Sequence, residues 1–165
     1  MKLFFKNSPL LAAFFALAFL PACKNEQGDI ETRNEATVRA ILAAMDAGEV
    51  SKFDAYCASD FRISNPFLPT PGSIDVFKGL IQGQKTGFPD MKHEIVQMFS
   101  QGNMVCGRGV FSGTNTGTMQ GNPPTGNRVT MPFIFTDEFD AGGKVKARHV
   151  QFDTGMFMAQ LMAGK

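Results

Sequence analysis

His149, Gln151 and Asp153 stand two residues apart, so in an extended strand their side chains project from one face. A carboxyl next to an imidazole is equipment for proton transfer. If that face is concave, burial raises the carboxyl pKa toward neutrality, where it can take a proton from carbon and return it to oxygen. A second reading competes. An aspartate directly before Thr154-Gly155-Met156 suits a helix N-cap, and both readings stay open. His149 reads as the pocket's acid/base or as a hydrogen-bonded core histidine. Arg108, mid-strand, reads as a ligand for an enol or carboxylate oxygen or as a surface ion-pair residue. Asn65 is a candidate pocket polar group, with Phe61 and Phe133 as candidate apolar contacts. His93 is assigned to the surface. With only these two histidines and no HExxH or CxxC, no metal site is expected. Gly109 to Gly113 reads G-x-x-S-G, not the G-x-S-x-G of a nucleophile elbow. No phosphate-binding glycine loop occurs.

The elements that must position these residues follow from periodicity. Thr32-x-x-Glu35 fits a capping box, and Val38, Ile41, Leu42 and Met45 then mark one face of a helix that stops near Gly48. Ser51 caps a second, short helix with Phe53, Tyr56 and Cys57 inward. Phe61 to Pro66 alternates as a short strand, and Ser73 opens a third helix that buries Ile74, Phe77, Leu80 and Ile81. From Met91 the period changes to two. His93, Ile95, Gln97 and Phe99 share one face of a strand. Val105, Gly107, Gly109 and Phe111 alternate with Met104, Cys106, Arg108 and Val110 in the next. Gly113, Gly117, Gly121 and Gly126, with Pro123-Pro124, punctuate a long turn before Val129, Met131, Phe133 and Phe135. Pro132 suggests an edge position or a bulge. Asp140 to Lys144 turns the chain into the last strand, whose one face is expected to carry Val145, Ala147, His149, Gln151 and Asp153. Met156 to Met162 closes it as a short amphipathic tail. Helices followed by hairpin-linked strands indicate an α+β domain with helices on one side of a curved antiparallel sheet. The mouth of such a sheet is a natural pocket.

The chain has 165 residues and a net charge of +1, enough for one domain and no reason to expect nucleic acid. Its 17 Phe and 10 Met, with no Trp, make a soft aromatic core that fills itself or lines an apolar cavity. Residues 1–22 read as a signal peptide: Lys2 and Lys6, then the apolar run Pro9 to Leu20, too short to span a bilayer. Leu20-Pro21-Ala22-Cys23 resembles a bacterial lipobox, with cleavage before Cys23 and lipid on its sulfur. The alternative is a plain secretory signal with an incidental cysteine. Lys24-Asn25 directly after Cys23 resembles outer-membrane sorting. The expected organisation is a leader at 1–22, a polar tether at 23–31 and a domain at 32–165, held at the cell envelope. Without the leader, Lys+Arg falls from 16 to 14 against 15 Asp+Glu, near −1. Cys57 and Cys106 form a disulfide or are two buried apolar thiols; both readings stay open.

Ser112 to Val129, SGTNTGTMQGNPPTGNRV, resembles the signature of SnoaL-like polyketide cyclases, often named ester cyclases, within the NTF2-like superfamily. Gly87-Phe-Pro-Asp90, Asp60-Phe61, Asn65-Pro66, Gly143-Lys-Val145, Phe152-Asp153 and Gln160-Leu161 add to it, so it spans roughly residues 34–164. Asn115 and Asn65 stand where histidines are common. The resemblance implies a cone-shaped α+β barrel, a homodimer, and ring closure without metal or organic cofactor. It also implies an acid/base aspartate on the last strand, matched by Asp153. The leading expectation is a lipid-anchored domain that binds a small, largely apolar molecule. It would catalyse cofactor-free cyclisation or isomerisation, with Asp153 as base assisted by His149. The alternative is a non-catalytic ligand-binding or interaction lipoprotein. A third reading is an ester or epoxide hydrolase with a water beside Asp153.

Overall fold

The computed structural model describes residues 26–119 and 121–164, so the leader and Cys23 lie outside the described residues. Helix α1 runs Glu26–Ala47. It begins six residues before the capping box, inside the stretch read as a tether. Glu26 and Asp29 in the first turn complement the helix dipole. Thr32 caps nothing: its hydroxyl donates back to the Gly28 carbonyl at 2.8 Å. Gly48 ends the helix with φ +74°, the left-handed conformation glycine supplies without strain. A 3-10 turn (Val50–Lys52) and the single-turn helix α2 (Phe53–Tyr56) lead into β1 (Cys57–Ser64), so Cys57 begins a strand instead of ending a helix. Helix α3 (Ile74–Gly87), strands β2 (Lys92–Gln101), β3 (Met104–Thr114), β4 (Arg128–Phe139) and β5 (Val145–Phe152), and helix α4 (Thr154–Leu161) complete the chain.

The fold is the expected α+β cone, but the sheet is open and mixed. Its order is β1-β5-β4-β3-β2. β1 pairs with β5 in parallel, and the other pairs are antiparallel. The helices cover the concave face, and the core lies between, built on Phe53, Phe61, Phe88, Phe111, Val38 and Ile41. Two glycines of β3 permit the curvature. A Cβ on Gly107 would stand 2.6 Å from the Phe135 ring, and one on Gly109 2.6 Å from Phe133 and 2.5 Å from the Glu94 carbonyl. The two aromatic rings of β4 therefore lie across the bare backbone of β3.

Two bulges decide which side chains face the core. In β2, Ile95 opposes Gly109 and Gln97 opposes Arg108, so Val96 is an extra residue. His93 and Ile95 point inward before it, and Met98 and Ser100 after it; Gln97 and Phe99 are exposed. In β5, Val145 opposes Phe139 and Ala147 opposes Glu138, which leaves Lys146 extra. A one-residue slip moves every later side chain to the other face. Arg148, Val150 and Phe152 consequently turn inward, and His149 and Gln151 face solvent.

Pro132 is in a strand with neighbours on both sides, yet it costs no ladder bond. β5 pairs with β4 only as far as Phe133, so Pro132 starts an unpaired stretch of the β5-side edge. Farther along that edge, at Thr130, the Gln160 carboxamide of α4 replaces a strand: it accepts from Thr130 N at 2.8 Å and donates to Thr130 O at 2.9 Å.

The long turn between β3 and β4 is stitched by Asn115, which is 2% exposed. Its Nδ2 donates to the Gly87 and Gly117 carbonyls at 3.0 Å each, and its Oδ1 accepts from Thr125 N at 2.8 Å. A side chain on Gly117 would collide with the Thr86 carbonyl, so the turn seats against the end of α3 only because that residue is glycine.

Candidate functional site

Between the helices and the concave sheet lies an apolar cavity of about 320 Å³. Its walls are largely Phe, Met, Leu, Ile and Val, with Asn65, Gln84, His93 and Arg148 as the polar side chains. This is the composition of a small-molecule site: apolar walls for affinity and a few fixed polar groups for orientation.

The first polar centre is His93. Its side chain is 7% exposed, packed 5.3 Å from the Phe111 ring and 5.8 Å from the Phe133 ring. Nδ1 lies 2.7 Å from Asp46 Oδ1. The same carboxylate accepts from the His93 backbone N–H at 3.0 and 3.2 Å. A carboxylate can only accept, so the neutral ring carries its proton on Nδ1 and presents the Nε2 lone pair. The ring's hydrogen bond among the described residues is made at Nδ1, and the side chain lines the cavity. Burial alone would raise the Asp46 carboxyl; the hydrogen bonds from the His93 side chain and backbone, with the positive charge of Lys92, hold it below its ordinary value. The carboxylate sits in the last turn of α1. Lys85 of α3 fixes that helix end, donating to the Asp46 carbonyl at 2.5 Å and the Pro89 carbonyl at 2.8 Å.

The second centre is a buried ion pair. Arg148 donates from Nε to Asp137 Oδ1 at 2.8 Å and from Nη2 to Oδ2 at 2.6 Å. The side chains are 3% and 0% exposed. The two residues are directly opposed on β5 and β4, and the fork matches the carboxylate as a bidentate pair. Burial opposes the charge of Arg148, but Asp137 more than compensates and raises its pKa. The guanidinium lies 5.8 Å from the Phe77 ring centroid. Cys57 is nearby, and burial pushes its thiol up to about 11, so it is no nucleophile.

The residues anticipated from sequence are divided by this geometry. Phe133 and Asn65 line the cavity, although Asn65 Oδ1 also accepts from Phe67 N at 2.9 Å in a local turn. Phe61 is buried against Phe77 in the core and is not a wall of the cavity. Arg108 and Gln151 lie together on the outer sheet face, where Arg108 Nε donates to Gln97 Oε1 at 3.3 Å. His149 is exposed on that face as well. Asp153 caps α4: it is exposed, with Oδ1 accepting from Met156 N at 2.9 Å. The bulge at Lys146 and this cap take the Asp153–His149–Gln151 constellation out of the cavity. His93, read as a surface residue, belongs in it. Cys57 is a buried free thiol, and Cys106 is a partly buried free thiol on β3, with no disulfide between them. Among the described residues no three His, Cys, Asp or Glu are grouped to hold a metal.

A signal for the inward set does exist in the sequence. Val145, Val150 and Phe152 are the apolar residues of β5 besides Ala147, and no single alternation places all three on one face. That parity change marks a bulge. Ile95 and Met98 show the same change in β2. Nothing local pairs Asp46 with His93, 47 residues apart.

Comparison with solved structures finds the same fold repeatedly. IdmH from Streptomyces antibioticus, named as a polyketide cyclase, matches with a TM-score of 0.67 and 24% identity, over 78% of this chain and 97% of that one. A protein from Jannaschia sp. CCS1, named as a SnoaL-like polyketide cyclase, gives 0.73 and 19%, over 82% and 96%. AclR from Streptomyces galilaeus, named as a hydroxylase, gives 0.70 and 21%, over 79% and 82%. One fold thus carries names for different reactions, and the site must argue the chemistry. No curated protein matches the sequence. Residues 35–161 match the family model for SnoaL-like polyketide cyclases, and the chain belongs to that family.

Proposed function

We propose that the cavity binds a small, largely apolar molecule and that His93 moves a proton on it, without a cofactor, in a cyclisation or isomerisation. The observation that carries this reading is the 2.7 Å contact from Asp46 to His93 Nδ1, which leaves Nε2 free on a side chain that lines an apolar cavity. Asp46 fixes the tautomer and balances the imidazolium formed when Nε2 takes a proton. Asp153 has no part in this step. The protein is held at the bacterial envelope through lipid on Cys23, as its leader suggests. It pairs with a second copy, as the family resemblance implies, through the outer sheet face, where Val96, Phe99 and Ile134 are each more than half exposed.

The test uses 2-tetralone, a bicyclic ketone with acidic C–H groups, in deuterated water. The purified protein accelerates exchange of its α-protons as followed by proton NMR, and His93→Gln removes about 10²–10⁴-fold of that acceleration. Binding without exchange moves the protein to the ligand-binding alternative. Sedimentation of wild type and Ile134→Lys tests the dimer, and labelling with a radioactive fatty acid tests Cys23.

A further inference from the structure

We infer that Arg148 is the binding site for a neutral carbonyl oxygen of the molecule in the cavity. The inference rests on the small-molecule reading given above. Arg148 spends Nε and Nη2 on Asp137, but Nη1 has as its partner among the described residues only Met45 Sδ, at 3.7 Å. A thioether is a weak acceptor. The guanidinium therefore keeps a strong donor edge that is poorly used, inside a wall of the cavity. A ligand oxygen is the acceptor this edge lacks.

The charge of the oxygen follows from Asp137. The Arg148–Asp137 pair is already neutral, so a ligand carboxylate would leave one uncompensated negative charge in a dry site, which is costly. A ketone or ester carbonyl adds no charge. When its α-carbon loses a proton, negative charge grows on the oxygen beside Arg148, and positive charge grows on His93 beside Asp46. Each developing charge meets a fixed opposite one already in place. The two centres are held by adjacent residues of α1: Met45 touches Arg148, and Asp46 touches His93. One helix end thus positions both the proton acceptor and the oxygen site.

The experiment compares 2-tetralone with tetralin, the same skeleton without oxygen, and with 2-naphthoate. Affinities are measured by calorimetry for wild type and for the double variant Arg148→Met/Asp137→Leu, which removes both buried charges. Wild type is expected to prefer the ketone over both. The double variant should bind the ketone about 10–100-fold more weakly, the worth of one charge-assisted hydrogen bond, with tetralin unchanged. An unchanged ketone-to-tetralin ratio overturns the inference, as does a carboxylate that binds more tightly than the ketone. If wild type binds none of the three, the small-molecule reading itself falls. A readout free of variants stands beside these: the infrared carbonyl stretch of 2-tetralone bound to wild type. A shift below its alkane value supports the guanidinium contact, and an unshifted band refutes it.

Discussion

Breaking the Arg148–Asp137 pair from one side should be far more damaging than removing it whole. Both carboxylate oxygens are engaged, at 2.6 and 2.8 Å, and the two side chains are almost inaccessible. Arg148→Met leaves a carboxylate that must stay charged and unpaired or take up a proton. For an ordinary carboxyl group at pH 7 the second route means about three pH units at about 1.4 kcal/mol each, or about 4 kcal/mol. That agrees with the ~3–5 kcal/mol typical of a buried pair broken on one side. Against a total stability of ~5–15 kcal/mol, it takes the variant close to unfolding. Asp137→Leu should cost a similar amount by orphaning the guanidinium. The double variant replaces both charges with apolar groups of comparable volume and should return to within about 2 kcal/mol of wild type. Urea denaturation followed by circular dichroism gives all four corners of the cycle, provided that the slope is constant across them. A coupling energy of at least ~3 kcal/mol is expected. If the two single costs simply add, or if Arg148→Met costs less than ~1 kcal/mol, then the pair is not the closed, desolvated unit described here.

Four further outcomes follow from the site and its frame. Asp46→Asn should slow 2-tetralone exchange by about 10²-fold, because the carboxylate that fixes and charges His93 is gone. Asp46 has its folded pKa below its ordinary 3.8, so its stabilisation is complete above that value and is lost as pH falls through the folded value; the wild-type advantage over Asp46→Asn in urea melts should shrink on acidification below about pH 4. A Cβ on Gly83 meets nothing within 4 Å, and the residue is on the cavity wall in the middle of α3. Gly83→Leu should therefore gain up to ~1 kcal/mol of helix propensity, raise Tm by a few degrees, and still weaken tetralin binding by filling the cavity. Asn115→Ala leaves two carbonyls and one amide without their side-chain partner, and should cost ~2–4 kcal/mol and speed hydrogen exchange at Thr125.

What could be read locally was read well. The alternation along β3 and along β4, the turns at Gly102 and at Asp140–Lys144 and the stop at Gly48 each depend on residues within a few positions of one another, and the cap at Asp153 was one of the two readings left open for that residue. The family, too, was legible in the stretch from Ser112 to Val129, whose Asn115 and Gly117 hold the turn together. The sequence by itself therefore determined the kind of domain and most of its elements in order. It did not determine the start of α1, where acidic residues near the N-terminus outweighed a capping motif that the helix runs through.

Only the tertiary structure decided the site. Single extra residues, Val96 and Lys146, reverse the facing of half a strand, and a bulge depends on the partner strand as much as on its own residues. The polar alternation of His149, Gln151 and Asp153 marked the solvent face, and Val150 and Phe152 between them marked the buried one. The polar groups of the cavity are then held by partners that no local pattern shows: Asp46 with His93, 47 residues apart, and Asp137 with Arg148, 11 apart, which the β4–β5 hairpin brings opposite one another. A charged side chain reads as a surface residue until its partner is known, because only pairing makes its burial affordable.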